Sequence, residues 1–174
     1  DRSILWAERT VNKEMNKLLE TDDKDYVIAI DTDSLYINMG ELVQKFNPKN
    51  PVKFLDEISK THFEKVLTKS YQELADYTGA MSNRMEMGRE VIADKGIWVA
   101  KKRYILNVHN SEGVQYKEPK LKVMGIEAIK SSTPELVRNK MKELFKIIVA
   151  QTQDDAQHFV SCLLYTSPSP RDSD

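Results

Sequence analysis

The stretch YVIAIDTDSLYINM, from Tyr26 to Met39, decides the fold of this chain. Two apolar runs rich in β-branched residues flank the segment DTDS, and each run has the length of a strand, whereas Asp, Thr and Ser suit a tight turn. The sequence therefore predicts a β-hairpin with two carboxylates, Asp31 and Asp33, at its tip. Because like charges repel, this arrangement favours a divalent cation, and Mg²⁺ prefers carboxylate oxygen. A solvated acidic turn is the alternative interpretation.

The charge of the chain is unevenly distributed. Residues 1–83 hold 11 Lys/Arg and 15 Asp/Glu, whereas residues 84–146 hold 14 Lys/Arg and 8 Asp/Glu. A basic second half beside an acidic turn suggests that a polyanion binds one surface with a metal nearby, and ordinary solvated charge is the alternative.

Length and composition bound the class of protein. At 174 residues and 40% hydrophobic residues, the chain is long enough for one globular domain or slightly more. No stretch approaches the ~18 apolar residues of a membrane span, and no signal peptide is recognisable, so we expect no membrane partner. Cys162 is the only cysteine, which predicts a reducing, intracellular compartment.

Helical periodicity dominates the first half of the chain outside the hairpin. Apolar residues from Ile4 to Leu18 recur at helical spacing and predict an amphipathic helix over residues 2–20. A second helical pattern runs from Leu55 to Leu74 and stops near Gly79. His62 lies on or beside its apolar stripe, where we predict a satisfied or half-exposed core histidine, with a metal ligand as the alternative. We also predict a core-filling role for three methionines, Met81, Met85 and Met87.

From Arg84 the hydrophobic period changes to two, which is typical of half-buried strands. We predict a strand to about Ala93, a turn over residues 94–96, a long strand over 97–109 and a further turn into Val114–Tyr116. Helix, hairpin, helix and meander together predict an α+β fold, in which an antiparallel sheet carries helices on one face.

The predicted long strand contains Lys101, Lys102, Arg103 and Tyr104. Consecutive cations in a strand are unfavourable unless an anion lies against them, and an aromatic side chain beside cations suits a nucleic-acid backbone. An edge strand protected by lysines is the alternative.

The segment Ser132-Thr133-Pro134-Glu135 predicts the start of a helix that continues to about Ala150. Thr133 can cap the helix, Pro134 suits its first turn, and Glu135 interacts favourably with the dipole. The helix start could also hold a phosphate, with a plain cap as the alternative. The predicted apolar stripe comprises Val137, Met141, Leu144 and Ile148.

With these segments in place, the chain resembles family B DNA polymerases of the T-even bacteriophage type. The resemblance runs from about Ile4 to Val149 and rests on four segments in order: WAERTVNKEMN, IDTDS, REVIADKGIWVAKKRY and EPKLKVMGIEAIKSSTP. It implies the C-terminal portion of a polymerase palm over residues 1–129. It also implies the start of an all-helical thumb over residues 130–161.

The resemblance implies roles for particular residues. Asp33 resembles the palm aspartate that binds both catalytic metal ions, Asp31 resembles its less essential partner, and Glu90 resembles a nearby carboxylate that supports the site. The implied cofactor is a pair of Mg²⁺ ions, with Mn²⁺ as an alternative. The implied DNA-binding residues are Lys101, Lys102, Arg103, Tyr104, Lys120, Lys122, Lys130, Ser131 and Ser132.

Two positions depart from the family pattern. Ile30 precedes Asp31 where many relatives have glycine, and Gly88 stands where some close relatives have an acid. The second palm aspartate, the fingers and the exonuclease are expected upstream of Asp1, and most of the thumb is expected downstream. We therefore expect the isolated chain to be inactive.

The C-terminal residues 162–174 resemble a translated sequencing adaptor, because their Pro/Ser run has no helical pattern. We predict a non-native tail that makes no core contacts, with a natural disordered tail as the alternative.

The function implied by the resemblance is DNA-templated DNA synthesis, in which a primer 3′-hydroxyl attacks a deoxynucleoside triphosphate. Its partners would be primer–template DNA, the dNTP and a sliding clamp that binds through C-terminal regions outside this sequence. Its location would be the cytoplasm of an infected host cell. The alternatives are another palm-type polymerase and a non-catalytic duplex-binding module.

Overall fold

The computed structural model describes residues 2–126 and 130–151, together with the backbone of residues 160–166. The helices are α1 (Arg2–Leu19), α2 (Gly40–Phe46), α3 (Pro51–Ile58), α4 (Glu64–Thr78) and α5 (Glu135–Gln151), and a π-helical turn over Ser59–Phe63 joins α3 to α4. The strands are β1 (Val27–Ile30), β2 (Ser34–Asn38), β3 (Glu86–Ala100), β4 (Arg103–Ser111), β5 (Val114–Met124) and β6 (Val160–Thr166).

The strands form one antiparallel sheet in the order β1-β2-β6-β3-β4-β5. Helices α1, α3 and α4 pack against it through a core that includes Leu35 and Ile37 of β2. Tyr36 points to the opposite face, because successive strand residues alternate, and it joins a second cluster with Trp98 and Tyr104. The predicted α+β class is confirmed.

Helix α1 is amphipathic as predicted, with Ile4, Ala7, Val11 and Met15 buried. The next predicted helix is divided into α3, the π-helical turn and α4. It begins at the Asn50 cap, which accepts a hydrogen bond from the backbone N–H of Lys53 at 3.2 Å. His62 lies in the π-helical turn, half-exposed, 2.7 Å from Glu14, which confirms its predicted role.

The turn predicted over residues 94–96 is wrong, because β3 continues through it with bulges. Asp94 is the extra residue of the bulge, and its carboxylate accepts a hydrogen bond from the Asn107 amide at 2.7 Å. Gly96, which was predicted to form the turn, instead allows a neighbouring side chain to pack. A Cβ at Gly96 would lie 2.6 Å from the Trp98 ring, so the bare Cα makes room for that ring.

The long strand predicted over residues 97–109 is also wrong, because the chain turns at Lys101 and Lys102. Trp98 and Tyr104 are cross-strand partners on either side of the turn. The turn places the consecutive cations at the exposed end of a hairpin, where water solvates them. Lys102 adopts φ +62, a conformation that sequence patterns associate with Gly, Asn or Asp.

The prediction that the tail makes no core contacts is wrong for the backbone of Cys162–Thr166. This segment belongs to β6, which pairs with β2 on one side and β3 on the other. The physical reason is that Cys162-Leu163-Leu164-Tyr165-Thr166 has the composition of a strand, and Pro168 comes only after it. Residues 167–174 lie outside the described residues, and the non-native origin of the tail stays a prediction.

Three smaller expectations also need correction. Met81 is fully exposed, although Met87 is buried and Met85 packs at the edge of the core as predicted. Helix α2 was missed, because seven residues between a strand and a Pro-rich break give little periodicity. The stripe of α5 that contacts the sheet comprises Met141, Phe145 and Val149, one position away from the predicted stripe at Leu144 and Ile148.

Helix α5 lies against β3, β4 and β5 on the face opposite Trp98, and the Lys95 ammonium donates to the carbonyl oxygen of Val149 at 3.0 Å. It lies within the predicted thumb start, of which residues 152–159 lie outside the described residues, whereas Val160 and Ser161 belong to β6 and are not helical as predicted. None of the described helices combines the length and the hydrophobicity that a membrane span requires.

Candidate functional site

The tip of the β1–β2 hairpin is the centre of the candidate site. The backbone N–H of Asp31 donates to the carbonyl oxygen of Ser34 at 2.9 Å and closes the turn. Ser34 to Ile37 are all buried, so β2 holds the turn against the core. The apolar strands therefore present Asp31 and Asp33 at one position, as the sequence predicts.

The carboxylate of Asp31 is charge-compensated. Its Oδ1 accepts a hydrogen bond from the backbone N–H of Thr32 at 2.7 Å and lies 3.4 Å from the Lys102 ammonium. Partial burial acts to raise the pKa of Asp31, but the Thr32 N–H and the Lys102 charge outweigh it and leave the pKa below its usual range. Asp31 therefore stays ionised at neutral pH.

The carboxylate of Asp33 is exposed. It makes no hydrogen bond or ion pair with any residue in the described part of the chain. Its oxygens are therefore free to accept a ligand, and carboxylate oxygens are the donors that Mg²⁺ prefers. The two aspartates differ because one is already paired and the other is open.

The β3–β4 turn brings the predicted DNA-binding cations to the hairpin tip. Lys101, Lys102 and Arg103 are exposed, and Lys102 is the residue that reaches Asp31. Tyr104 is buried instead, and its hydroxyl accepts a hydrogen bond from the Tyr36 hydroxyl at 2.7 Å. The bond links β2 to β4, so Tyr104 anchors the turn beside the hairpin.

Glu90 lies on β3 and pairs with Lys122 of β5 at 3.0 Å. In the sheet, Gly88 and Ser34 face each other across Leu164 of β6, so two strand spacings separate the β3 backbone from the hairpin. Neighbouring strands lie about 4.8 Å apart, which puts roughly 10 Å between them. Within the described residues, no group of three or more acidic, histidine or cysteine side chains forms a metal cluster. The supporting role of Glu90 near the two aspartates stays a prediction.

The remaining predicted DNA-binding residues lie on β5 and in the segment before α5. Lys120 is exposed on β5, with its ammonium 4.2 Å from the centre of the Tyr116 ring. Lys122 is half-buried by its pair with Glu90. Lys130, Ser131 and Ser132 are exposed in the segment before α5, where the backbone N–H of Thr133 donates to the carbonyl oxygen of Lys130 at 3.0 Å.

Comparison with known proteins supports the resemblance found in the sequence. No family model matches the chain. The DNA-directed DNA polymerase of Enterobacteria phage T4 is 35% identical to it over 170 residues, which is 90% of this chain and 19% of that protein. The DNA-directed DNA polymerase of Escherichia phage RB69 is 37% identical over 158 residues, which is 83% of this chain and 18% of that protein. The predicted resemblance to T-even phage DNA polymerases is confirmed. The chain spans about a fifth of the length of these phage polymerases.

Two features that support the site are not among the residues predicted from the sequence. Tyr36 could have been found, because it alternates with Leu35 and Ile37 and must face the other side of the sheet. The buried ion pair between Arg89 and Asp56, which joins β3 to α3, had no sequence signal, because the two residues belong to separate elements.

Proposed function

We propose that this chain forms part of the palm of a family B DNA-directed DNA polymerase. The observation that carries the proposal is the 3.4 Å contact between Lys102 and Asp31, which brings an exposed basic turn to an acidic turn far away in sequence. Polymerisation requires both features side by side, because the primer end must lie where the metal ions are held. The similarity to two phage DNA polymerases supports the same reading.

Asp33 and Asp31 are the residues that would hold divalent cations. Their donor chemistry fits Mg²⁺, since both are carboxylates on one turn and Asp33 has no partner among the described residues. When bound, such ions stabilise the charge that develops on the attacking and leaving oxygens of phosphoryl transfer. The hairpin itself contributes position, because β2 is buried from Ser34 to Ile37 and cannot shift without disturbing the core.

The β3–β4 turn would bind the primer–template duplex next to this position. Lys101 and Arg103 supply positive charge for phosphates, and contacts of this kind fix position without reading sequence. Lys102 would donate to minor-groove acceptors, which are similar for every correct base pair. Because Lys102 also contacts Asp31, it would hold the end of the bound duplex next to the two carboxylates.

The isolated chain would bind duplex DNA weakly and would not extend a primer. It spans about a fifth of its relatives, and the described part brings only two carboxylates together. The fingers and the second palm aspartate expected from the resemblance would have to complete the site.

A chimera tests the proposal. Residues 1–161 replace the matching segment of phage T4 DNA polymerase, and primer extension is measured in Mg²⁺. Asp33→Asn should lower turnover by at least about 10²-fold, because it removes a charge that offsets the cations, and Asp31→Asn should cost less. Asp22→Asn, which makes the same change on another exposed aspartate, serves as the control.

Turnover of the Asp33→Asn chimera within about tenfold of the parent chimera would contradict the proposed role of this residue. A chimera that binds duplex DNA but is inactive before any mutation would favour the non-catalytic duplex-binding module. Binding of Mn²⁺ to the 174-residue chain, followed by paramagnetic broadening of amide signals near residue 33, gives a second measurement that does not depend on the chimera.

A further inference from the structure

The β3–β4 turn is held in a conformation that its own sequence does not favour. Lys102 has φ +62, and a left-handed backbone is unfavourable for a residue with a Cβ unless the surrounding structure imposes it. The turn contains no glycine, asparagine or aspartate. Contacts from outside the turn must therefore hold Lys102 in place.

Gly125, directly after β5, supplies the closest such contact. Its φ is +70, and a Cβ built on it would overlap the carbonyl oxygen of Lys102. The same Cβ would lie 3.1 Å from the carbonyl carbon of Lys102 and 3.1 Å from Cγ of Arg103. The neighbour on this side is backbone, which cannot rotate away as the end of a side chain can.

Gly79 shows that a left-handed glycine need not be packed in this way. It has φ +68, nearly the same as Gly125, but a Cβ built there would meet nothing within 4 Å. Gly79 ends α4, where its backbone N–H bonds to the last turn of the helix. The two glycines thus share one backbone conformation and differ in what lies against the Cα.

We propose that Gly125 is a positioning residue that sets where Lys102 points. Its bare Cα lets the end of β5 pack directly on the Lys102 carbonyl, and this contact holds the strained turn so that the ammonium reaches Asp31. Any side chain at residue 125 would push the turn away from the hairpin tip. The consequence for DNA binding rests on the proposed function, whereas the effect on the Lys102–Asp31 contact does not.

The first experiment measures that contact by zero-length crosslinking of the 174-residue chain. A water-soluble carbodiimide activates a carboxylate, and a lysine amine in direct contact then displaces the urea and forms an amide bond. Mass spectrometry quantifies the Lys102–Asp31 crosslink against the Lys140–Glu143 crosslink on α5, whose atoms lie 3.1 Å apart. The internal ratio removes differences in reagent and yield.

Gly125→Ala should lower this ratio by about tenfold, and Gly79→Ala should leave it unchanged. Gly125→Asn should behave like Gly125→Ala, because asparagine tolerates a positive φ but still carries a Cβ. It also keeps the test valid if backbone strain alone unfolds the alanine variant. An unchanged ratio in Gly125→Asn, or an equal loss in Gly79→Ala, would overturn the proposal.

The second experiment measures duplex DNA affinity of the same variants together with Lys102→Met. If Gly125 acts through Lys102, Gly125→Ala and Lys102→Met should each weaken binding by about tenfold, and the double variant should be no weaker than either one. Fully additive losses would overturn the positioning role. If crosslinking falls while no variant changes DNA affinity, Gly125 still positions Lys102, and the proposed DNA contact of the turn is wrong.

Discussion

Two ion pairs between an aspartate and a cation lie at different places around the same sheet, and they differ in burial. Asp31 and Lys102 join two turns at the surface, and their side chains are 25% and 60% exposed. Asp56 and Arg89 join α3 to β3, and the Arg89 side chain is completely buried. Both pairs join a carboxylate to a cation, but burial sets the free energy needed to separate them, so the two pairs have different roles.

The buried pair is surrounded by further partners. Glu64 at the start of α4 accepts a hydrogen bond from the backbone N–H of Arg89 at 3.1 Å, and Lys60 lies 3.3 Å from Asp56. The pair and its partners hold α3, the π-helical turn and α4 against β3. The exposed pair lies between two turns, and water reaches both side chains. A ligand can therefore replace either partner at little cost. The comparison teaches that the buried pair fixes structure and the exposed pair leaves charge available.

The largest expected effect is on the buried pair. Asp56→Ala removes the carboxylate and leaves Arg89 as an unpaired buried cation, which typically costs about 3–5 kcal/mol. We expect the free energy of unfolding of the chain, measured with urea, to fall by this amount. Lys60→Ala, which removes the exposed partner of Asp56, should cost less than about 1 kcal/mol. Similar losses for both variants would break the distinction between the two pairs.

The next effect concerns β6, which lies between β2 of the acidic hairpin and β3, the strand that carries Arg89. Leu164 pairs with Ser34 on one side and Gly88 on the other, so Leu164→Pro should remove ladder hydrogen bonds in mid-sheet. We expect a loss of about 3 kcal/mol in urea unfolding, with Ser169→Pro, beyond the strand, as the control. Equal stability of both variants would show that the tail does not pair in solution.

Loss of the exposed pair should change the stability of the chain little and its duplex binding clearly. Lys102→Met should alter the free energy of unfolding by less than about 0.5 kcal/mol, because both partners are solvated. It should also weaken duplex binding by about tenfold, because it removes the proposed contact of Lys102 with the minor groove. Lys69→Met, an exposed lysine on α4, is the control and should change neither quantity.

Asp94 gives the smallest and most specific effect, because its pair with His109 at 3.2 Å is intermediate in exposure. Burial acts to raise the pKa of Asp94, but His109, Asn107 and Lys95 outweigh it and hold the pKa below its usual range. A depressed pKa contributes stability above the ordinary carboxyl pKa of about 4, and this contribution is lost as the pH falls through the lower value.

Asp94→Asn should therefore flatten the acid side of a plot of unfolding free energy against pH, and Asn107→Ala should flatten it in part. Urea titrations between about pH 2 and 6 would measure both slopes. A slope in Asp94→Asn as steep as that of the unmodified chain would show that other carboxylates carry the acid sensitivity.

The elements near the hairpin were predictable because local patterns carry them. Alternation of apolar residues, a turn of short polar residues and two helical repeats lie within short windows of sequence, and each is confirmed in α1, β1, β2 and α4. The turn predicted at 94–96 is absent and the turn at 101–102 was not predicted, in each case because a packing contact decides the backbone conformation. Gly96 is required by the Trp98 ring, and the left-handed turn at Lys102 is stabilised by Gly125, which lies far along the chain.

The sequence by itself determined the α+β class, the acidic hairpin, the basic segment and the resemblance to phage polymerases, because these depend on residue type and spacing. Only the tertiary structure decided that Lys102 contacts Asp31, that Asp33 stays open, that Tyr104 is buried against Tyr36 and that Glu90 pairs with Lys122. Each of these depends on the register of strands distant in sequence, and shifting a strand by one residue turns every side chain to the other face.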